Sequence, residues 1–193
     1  MGGTTERTAE QRVIDATKSC WERYGIAKVT VDDISAASGV SRATIYRLFP
    51  GGRDVLFDAL RVRELTDFFD RLTHAVDGAD SLDDLVVRLV SAATRELRAD
   101  EHVAVMLATE PGDTLGQLTV GGLPRILRVA STYLQPMLDP YLEPADAEPL
   151  IDLLVRLTIS YFLAPSDRID LAVPADAEAF LRPLLVALTP THT

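Results

Sequence analysis

Apolar residues recur at the spacing of an α-helix along nearly the whole chain, and no stretch alternates with period two long enough to be a convincing strand. This pattern predicts an all-α protein. The longer predicted helices cover about 8–24, 53–76, 81–99, a segment ending near 139, 146–163 and 175–188, and a short helix is predicted at 102–109. Residues 110–113 are expected to end a helix, and a loop is predicted around Gly116, Gly121, Gly122 and Pro124.

Two short helices joined by a tight glycine turn are predicted between residues 30 and 50. Thr30 and Asp33 have the spacing of a capping box, in which a hydroxyl and a carboxylate satisfy free backbone N–H groups. Gly39 suits the left-handed residue that ends such a helix. The residues that share the apolar face of the first short helix are Val31, Ile34 and Ser38.

The second short helix has an apolar side and a polar side. Ser41 is placed to cap it, and Ile45 and Leu48 point to the apolar side. The residues on the opposite side are Arg42, Ala43, Tyr46 and Arg47, with Thr44 on the flank. Because hydrogen-bond donors replace the usual mixture of Glu and Lys, this side suits the major groove of DNA. The alternative is a hairpin within a helix bundle, with both arginines merely solvated.

Residues from about 10 to 60 closely resemble the DNA-binding domain of the TetR family of bacterial transcriptional repressors. The residues that carry the resemblance are Ile14-Asp15-Ala16, Tyr24-Gly25, Thr30 to Ile34, Ala37, Gly39 to Tyr46, Phe49-Pro50 and Leu56-Phe57. Family members commonly place one small residue and then a lysine after the Phe-Pro. This chain departs from that pattern with Gly51-Gly52-Arg53, which is one residue longer and puts the register of Arg53 in question.

The resemblance implies a DNA-binding role for a defined set of residues. Thr30, Ser41 and Thr44 would hydrogen-bond phosphates, and Arg42 and Arg47 would contact base edges or phosphates. Tyr46 would pack on the sugar-phosphate backbone, Arg53 would add a backbone contact, and Ala43 would lie at the same surface. The expected domains are a flexible arm at 1–7, a helix-turn-helix domain at 8–52, and a helical ligand-binding and dimerisation domain at 53–193.

The net charge of −10 belongs to the part of the chain after residue 60. Residues 1–60 hold eight Lys or Arg and eight Asp or Glu, whereas residues 61–193 hold 11 and 21. Affinity for DNA must therefore come from the local placement of a few cations rather than from a basic field, and we expect a moderate salt dependence. The cations concerned are Lys28, Arg42, Arg47 and Arg53.

The last two predicted helices, about 146–163 and 175–188, are too apolar to be covered by one chain of this size. Residues 150–163 are apolar nearly all round, and the final helix has a second apolar face. A second copy of the chain is the expected neighbour, although a purely intramolecular core is the alternative. The resemblance implies the same homodimer, which would present two recognition helices to a palindromic operator.

The resemblance also implies that each subunit binds a small-molecule effector among its middle helices, which would release the protein from DNA. Candidate lining residues are Phe68, Leu72, Leu89, His102, Met106, Arg128, Tyr133, Met137 and Phe162. Ordinary core packing is the alternative at each of these positions. Because no basic cluster occurs among these helices, an uncharged or hydrophobic effector is expected.

Signals for an enzyme, a metal site or a bound cofactor are weak. His74, His102 and His192 have no metal-ligand spacing, and no nucleophile elbow or phosphate-binding glycine loop occurs. A single cysteine, Cys20, no secretory signal and no membrane-spanning run favour a cytoplasmic protein. The rival hypothesis is a helical ligand-binding or enzymatic protein that retains the fold without binding DNA.

Overall fold

A computed structural model describes residues 8–26, 28–100, 103–104, 107, 111–119 and 121–188. All regular structure in these ranges is α-helical, which confirms the predicted fold class. The chain divides between Asp67 and Phe68 into two compact units. The predicted arm at 1–7 lies outside the described residues, and the functional division at 52/53 stays a prediction.

The first unit contains three helices and the beginning of a fourth: α1 (Ala9–Tyr24), α2 (Val31–Ser38), α3 (Arg42–Leu48) and α4 (Arg53–Val76). Their boundaries follow from local capping chemistry. Thr8 and Thr30 both form complete capping boxes, and the Ser41 hydroxyl accepts a hydrogen bond from the Thr44 N–H. Gly39 ends α2 in the left-handed conformation, with φ 67° and ψ 18°, as predicted.

Apolar side chains from all four helices form the core of the first unit. Ile34 and Ile45 have no exposed surface, and the rings of Trp21 and Phe57 meet edge to face with centroids 5.7 Å apart. Tyr24, the last residue of α1, lies outside this core with its side chain 43% exposed.

Ion pairs link α1 to α4 within the first unit. The Lys18 ammonium lies 2.9 Å from the Glu64 carboxylate, and the Arg63 guanidinium lies 3.0 Å from the carboxylate of Asp15. These side chains are partly exposed, so each pair contributes little stability.

Two glycines make the turn between α3 and α4. Gly51 and Gly52 have φ values of 117° and 67°, which L side chains rarely adopt. Gly52 is buried, and a Cβ atom at this position would lie 2.9 Å from Cε1 of Tyr46. The close approach of the Gly52 backbone therefore sets the position of the Tyr46 ring on α3.

The second unit contains the end of α4 and five further described helices: α5 (Leu82–Ala99), α6 (Pro111–Leu118), α7 (Leu123–Leu138), α8 (Pro144–Leu163) and α9 (Pro174–Leu188). Helix α5 packs against both α8 and α9, and α7 packs against α8. The α5 residues from Leu85 to Thr94 are buried, with the exception of Arg88. Helix α5 is therefore the centre of this unit.

Of the break predicted at 110–113, residues 111–113 are instead helical, because Pro111 begins helix α6, and residue 110 lies outside the described residues. Proline is favoured at the first helical position, where its missing N–H has no intrahelical partner to lose. Gly116, which was predicted to lie in a loop, belongs to α6, and its carbonyl accepts hydrogen bonds from the N–H groups of Gly121 and Gly122. The predicted helix at 102–109 falls largely outside the described residues.

None of the helices within the described ranges is both long enough and apolar enough to cross a lipid bilayer.

The buried hydroxyl of Ser91 in α5 should lower the stability of the second unit. Ser91 is 1% exposed, and its Oγ has no hydrogen-bond partner within the described part of the chain. Because an unpaired buried hydroxyl costs about 1 to 3 kcal/mol, we expect Ser91→Ala to raise the free energy of unfolding by about 1 kcal/mol in urea titrations.

The matched control is Thr94→Val on the same helix, since the buried Thr94 hydroxyl donates to the Val90 carbonyl at 2.8 Å. We expect no gain in stability from this variant. Equal changes in the free energy of unfolding for both variants would contradict the assignment of Ser91 as an unpaired group.

Gly52→Ala should disturb Tyr46 as well as strain the backbone. Gly39→Ala is the control, because Gly39 has the same φ of 67° but no atom within 4 Å of an added Cβ. We expect both variants to lose about 1 kcal/mol from backbone strain, with a further loss for Gly52→Ala alone. Denaturant titrations together with the ring resonances of Tyr46 measure the difference, and identical behaviour of the two variants would refute the proposed contact.

Candidate nucleic-acid interface

The polar side of α3 is exposed, as predicted from the sequence. Arg42, Ala43, Tyr46 and Arg47 are all exposed, whereas Ile45 on the opposite side is fully buried. The prediction that Leu48 is also inward is wrong, since its side chain is 37% exposed at the last residue of the helix. One buried isoleucine and the turn at Gly52 thus hold a seven-residue helix with its donors facing outward.

The hydroxyl groups predicted to bind phosphates also cap helices. The Ser41 and Thr44 hydroxyl oxygens are 3.0 Å apart and hydrogen-bonded to each other at the start of α3. The Thr30 hydroxyl donates to the Asp33 carboxylate at 2.6 Å and accepts from the Asp33 N–H at 3.2 Å. A phosphate that accepts a hydrogen bond from Thr30 must therefore displace the Asp33 carboxylate as acceptor.

The hydrogen bonds of this cap lower the pKa of Asp33. The Thr30 hydroxyl makes the larger contribution, and the Thr30 backbone N–H, which donates at 2.9 Å, makes a further one. Because the pKa is lowered in the folded state, the stabilising contribution is complete above the ordinary pKa of an aspartate. It is lost as the pH falls through the lowered value.

The two arginines of α3 have different surroundings. The Arg42 guanidinium lies 2.9 Å from the carboxylate of Asp32 on α2, with more than half of each side chain exposed. Arg47 has no acidic partner within the described part of the chain. Arg47 is therefore directly available to a phosphate or a base edge, whereas Arg42 has to leave Asp32 or share its donors with it.

Arg53 is directed toward the segment before α2. Its Nε donates to the Val29 carbonyl at 3.0 Å, and one of its terminal nitrogens donates to the Ile26 carbonyl. The guanidinium also lies over the ring of Phe57, 5.1 Å from the centroid. These contacts fasten the segment between α1 and α2, a structural role that sequence reasoning missed. The predicted phosphate contact of Arg53 stays a prediction.

The residues predicted to line an effector cavity have different environments in the second unit. Leu72 and Leu89 are buried, Phe68, Tyr133, Met137 and Phe162 are half-buried, Arg128 is exposed, and His102 and Met106 lie outside the described residues. The rings of Phe69 and Tyr133 stack with centroids 5.2 Å apart and planes 11° apart. Phe68 meets Phe69 edge on at 5.3 Å. The structure thus brings together an aromatic group at Phe68, Phe69 and Tyr133, of which Phe69 was not predicted.

The sequence profile described as "Bacterial regulatory proteins, tetR family" matches residues 13–60. A Mycobacterium tuberculosis protein described as an HTH-type transcriptional regulator is 32% identical over 127 residues, and the match covers 62% of this chain. A similarly described Mycobacterium bovis protein is 33% identical over 129 residues. The chain spans 65% of the length of each of these relatives.

Solved structures share the fold at low sequence identity. The TetR family repressor AlkX from Dietzia superposes with a TM-score of 0.68 at 21% identity, covering 97% of this chain and 100% of that one. The repressor QsdR of Rhodococcus erythropolis gives a TM-score of 0.57 at 19% identity, covering 96% of this chain and 97% of that one. The matched profile and the similar regulators confirm the resemblance seen in the sequence, and the solved structures show a shared fold. Residues 13–60 therefore form a domain of the kind that the tetR family of bacterial regulatory proteins has at this position.

Proposed function

We propose that the protein is a transcriptional regulator that binds operator DNA through α3 and acts as a repressor released by a small molecule. The observation that carries the proposal is the two-sided helix α3. Ile45 is wholly buried while Arg42, Tyr46 and Arg47 are exposed. Exposed donors on a short helix at the surface of a helix-turn-helix domain have the form that reads the major groove.

The charges of the first unit support a local contact rather than a broad basic surface. The first 60 residues carry no net charge, so phosphate binding depends on individual cations such as Arg42 and Arg47. An arginine that donates two hydrogen bonds to a guanine discriminates against other bases by about 1 to 3 kcal/mol. We therefore assign base or phosphate contacts to both arginines and a packing contact on the sugar-phosphate backbone to Tyr46.

Replacing Arg42 and Arg47 by alanine tests this assignment. A genomic fragment selected by the purified parent serves as the operator, and binding is measured by mobility shift at fixed salt. We expect each replacement to cost about 1 to 3 kcal/mol of binding free energy if that arginine reads a guanine. The control is Arg61→Ala, which removes an exposed arginine of α4 whose guanidinium lies 2.9 Å from Asp58.

The double variant decides between the proposal and its rival. If Arg42→Ala/Arg47→Ala shifts the selected fragment as tightly as the parent, α3 does not read DNA. If the parent itself binds neither heparin nor random genomic DNA at low salt, the result favours the rival, a helical ligand-binding or enzymatic protein that retains the fold without binding DNA.

We further propose that α8 and α9 form the interface of a homodimer. Exposed apolar side chains lie on both helices, namely Leu153 on α8 and Leu184 and Val186 on α9. The rings of Tyr161 and Phe180, with centroids 5.6 Å apart, join the end of α8 to the middle of α9. Two α3 helices related by a two-fold axis would match the two halves of a palindromic operator.

Charged replacements in α9 test the dimer. We expect Leu184→Glu/Val186→Glu to convert the protein to monomers in sedimentation velocity, because the two new carboxylates of each subunit would be buried at the interface without partners. The control is Val62→Glu on α4, where the side chain is 65% exposed compared with 69% for Val186. A parent that sediments as a monomer, or a control that also dissociates, would rule out this interface.

The effector is proposed to bind within the second unit, near the aromatic group at Phe68, Phe69 and Tyr133. Large and polarisable side chains without a basic cluster suit an uncharged or hydrophobic molecule. Release from DNA then requires the effector to have a higher affinity for the DNA-incompetent form of the protein than for the DNA-competent form. We place the regulator and its effector in the cytoplasm, where DNA is accessible.

A further inference from the structure

The ion pair between Asp32 and Arg42 lies on the surface that the proposed function assigns to DNA. Arg42 is the first residue of α3, and Asp32 is the second residue of α2. The guanidinium and carboxylate are 2.9 Å apart, and their side chains are 58% and 66% exposed. Any duplex bound by the Arg42 guanidinium therefore has its backbone or base edges close to the negative charge of Asp32.

Asp32 has no part in the cap of α2. That function belongs to its neighbour Asp33, whose carboxylate accepts hydrogen bonds from both the N–H and the hydroxyl of Thr30. Asp32 lies in the first turn of α2, where its charge interacts favourably with the helix dipole. Replacement of Asp32 by a neutral residue would remove only part of this interaction. The contact of Asp32 with Arg42 is thus the specific interaction of this side chain that the structure shows.

The physical effect of the pair differs between random DNA and an operator. An exposed ion pair is weak and screened by salt, so Arg42 can exchange Asp32 for another acceptor at little cost. On random DNA the only gain is a phosphate contact, which the nearby Asp32 carboxylate opposes by repulsion. On an operator, the same carboxylate has already limited the orientations of the long Arg42 side chain, which reduces the ordering that a base contact requires.

We propose that Asp32 is a specificity-determining residue that positions Arg42 and disfavours binding to non-operator DNA. This inference rests on the proposed DNA-binding function. It predicts that removal of the Asp32 charge strengthens binding to random DNA, leaves operator binding equal or weaker, and therefore lowers the ratio of the two affinities.

The test compares Asp32→Asn with a matched control, Asp58→Asn. The Asp58 carboxylate also lies 2.9 Å from an arginine, Arg61, in an exposed pair of the same unit, so both variants lose one negative charge from a similar ion pair. Binding of the full-length parent and variants to the selected operator fragment and to random DNA of equal length is measured across a salt series.

For Asp32→Asn we expect an affinity for random DNA about three to ten times higher at low salt. We also expect the plot of log K against log[salt] for random DNA to have a slope steeper by up to about 0.9 per recognition helix. The operator affinity should not rise. For Asp58→Asn we expect both affinities to remain near those of the parent. Asp32→Glu, which keeps the charge, should restore the discrimination of the parent.

Three results would overturn the inference. Asp32→Asn and Asp58→Asn could behave alike, Asp32→Asn could raise both affinities by the same factor, or its effect on the affinity ratio could persist unchanged when Arg42 is alanine. Melting temperatures of all variants establish that the domain remains folded. Failure of the parent to bind any DNA would instead refute the proposed function, so the two failures are distinguishable.

Discussion

Burial of Ile45 is the constraint on which the candidate DNA surface depends. Helix α3 has seven residues, which is too short to be stable in water by itself. Its position is fixed because Ile45 has no exposed surface and because α2, with the equally buried Ile34, packs against it. Helical geometry then directs Arg47 away from the core, and Arg42 is exposed because it is the first residue of the helix. The exposed face proposed to bind DNA thus depends on how Ile45 packs.

Local chemistry at the two ends of α3 completes this arrangement. Ser41 satisfies the N–H of Thr44 at the start of the helix, and the carbonyl of Ile45 accepts from the Phe49 N–H at its end. Gly51 and Gly52 then reverse the chain, and the second of them contacts the ring of Tyr46. The extra glycine, which is a departure from the common family pattern, therefore has a specific physical consequence at the proposed interface.

Features set by neighbouring residues could be predicted from the sequence, and features set by distant residues could not. The capping box at Thr30, the left-handed Gly39 and the limits of α4 follow from short spacings and were predicted correctly. The hydrogen bonds of Arg53 to Ile26 and Val29 span more than 20 residues and leave no local signal. Helix α6 begins at Pro111, where the sequence predicts only the end of a helix, because proline is found both after and at the start of helices.

The charges also show why composition alone was a poor guide. Acidic residues of the second unit are partly neutralised in local ion pairs, such as Asp84 with Arg88 and Asp152 with Arg156. The first unit has no excess of cations, so the arrangement of individual side chains decides what it can bind. The pair of Asp32 and Arg42 could not be inferred from the sequence, because it depends on how two helices cross.

The central claim is that the exposed side of α3 contacts DNA, and arginine side-chain NMR tests it most directly. The Nε–Hε resonances of Arg42 and Arg47 would be followed as a selected operator fragment is added to labelled protein, with Arg61 on α4 as the internal reference. We expect large chemical-shift changes for the Nε–Hε resonances of Arg42 and Arg47 and for the backbone amides of α3, and little change for Arg61. Tight binding that leaves the α3 resonances unchanged would contradict it.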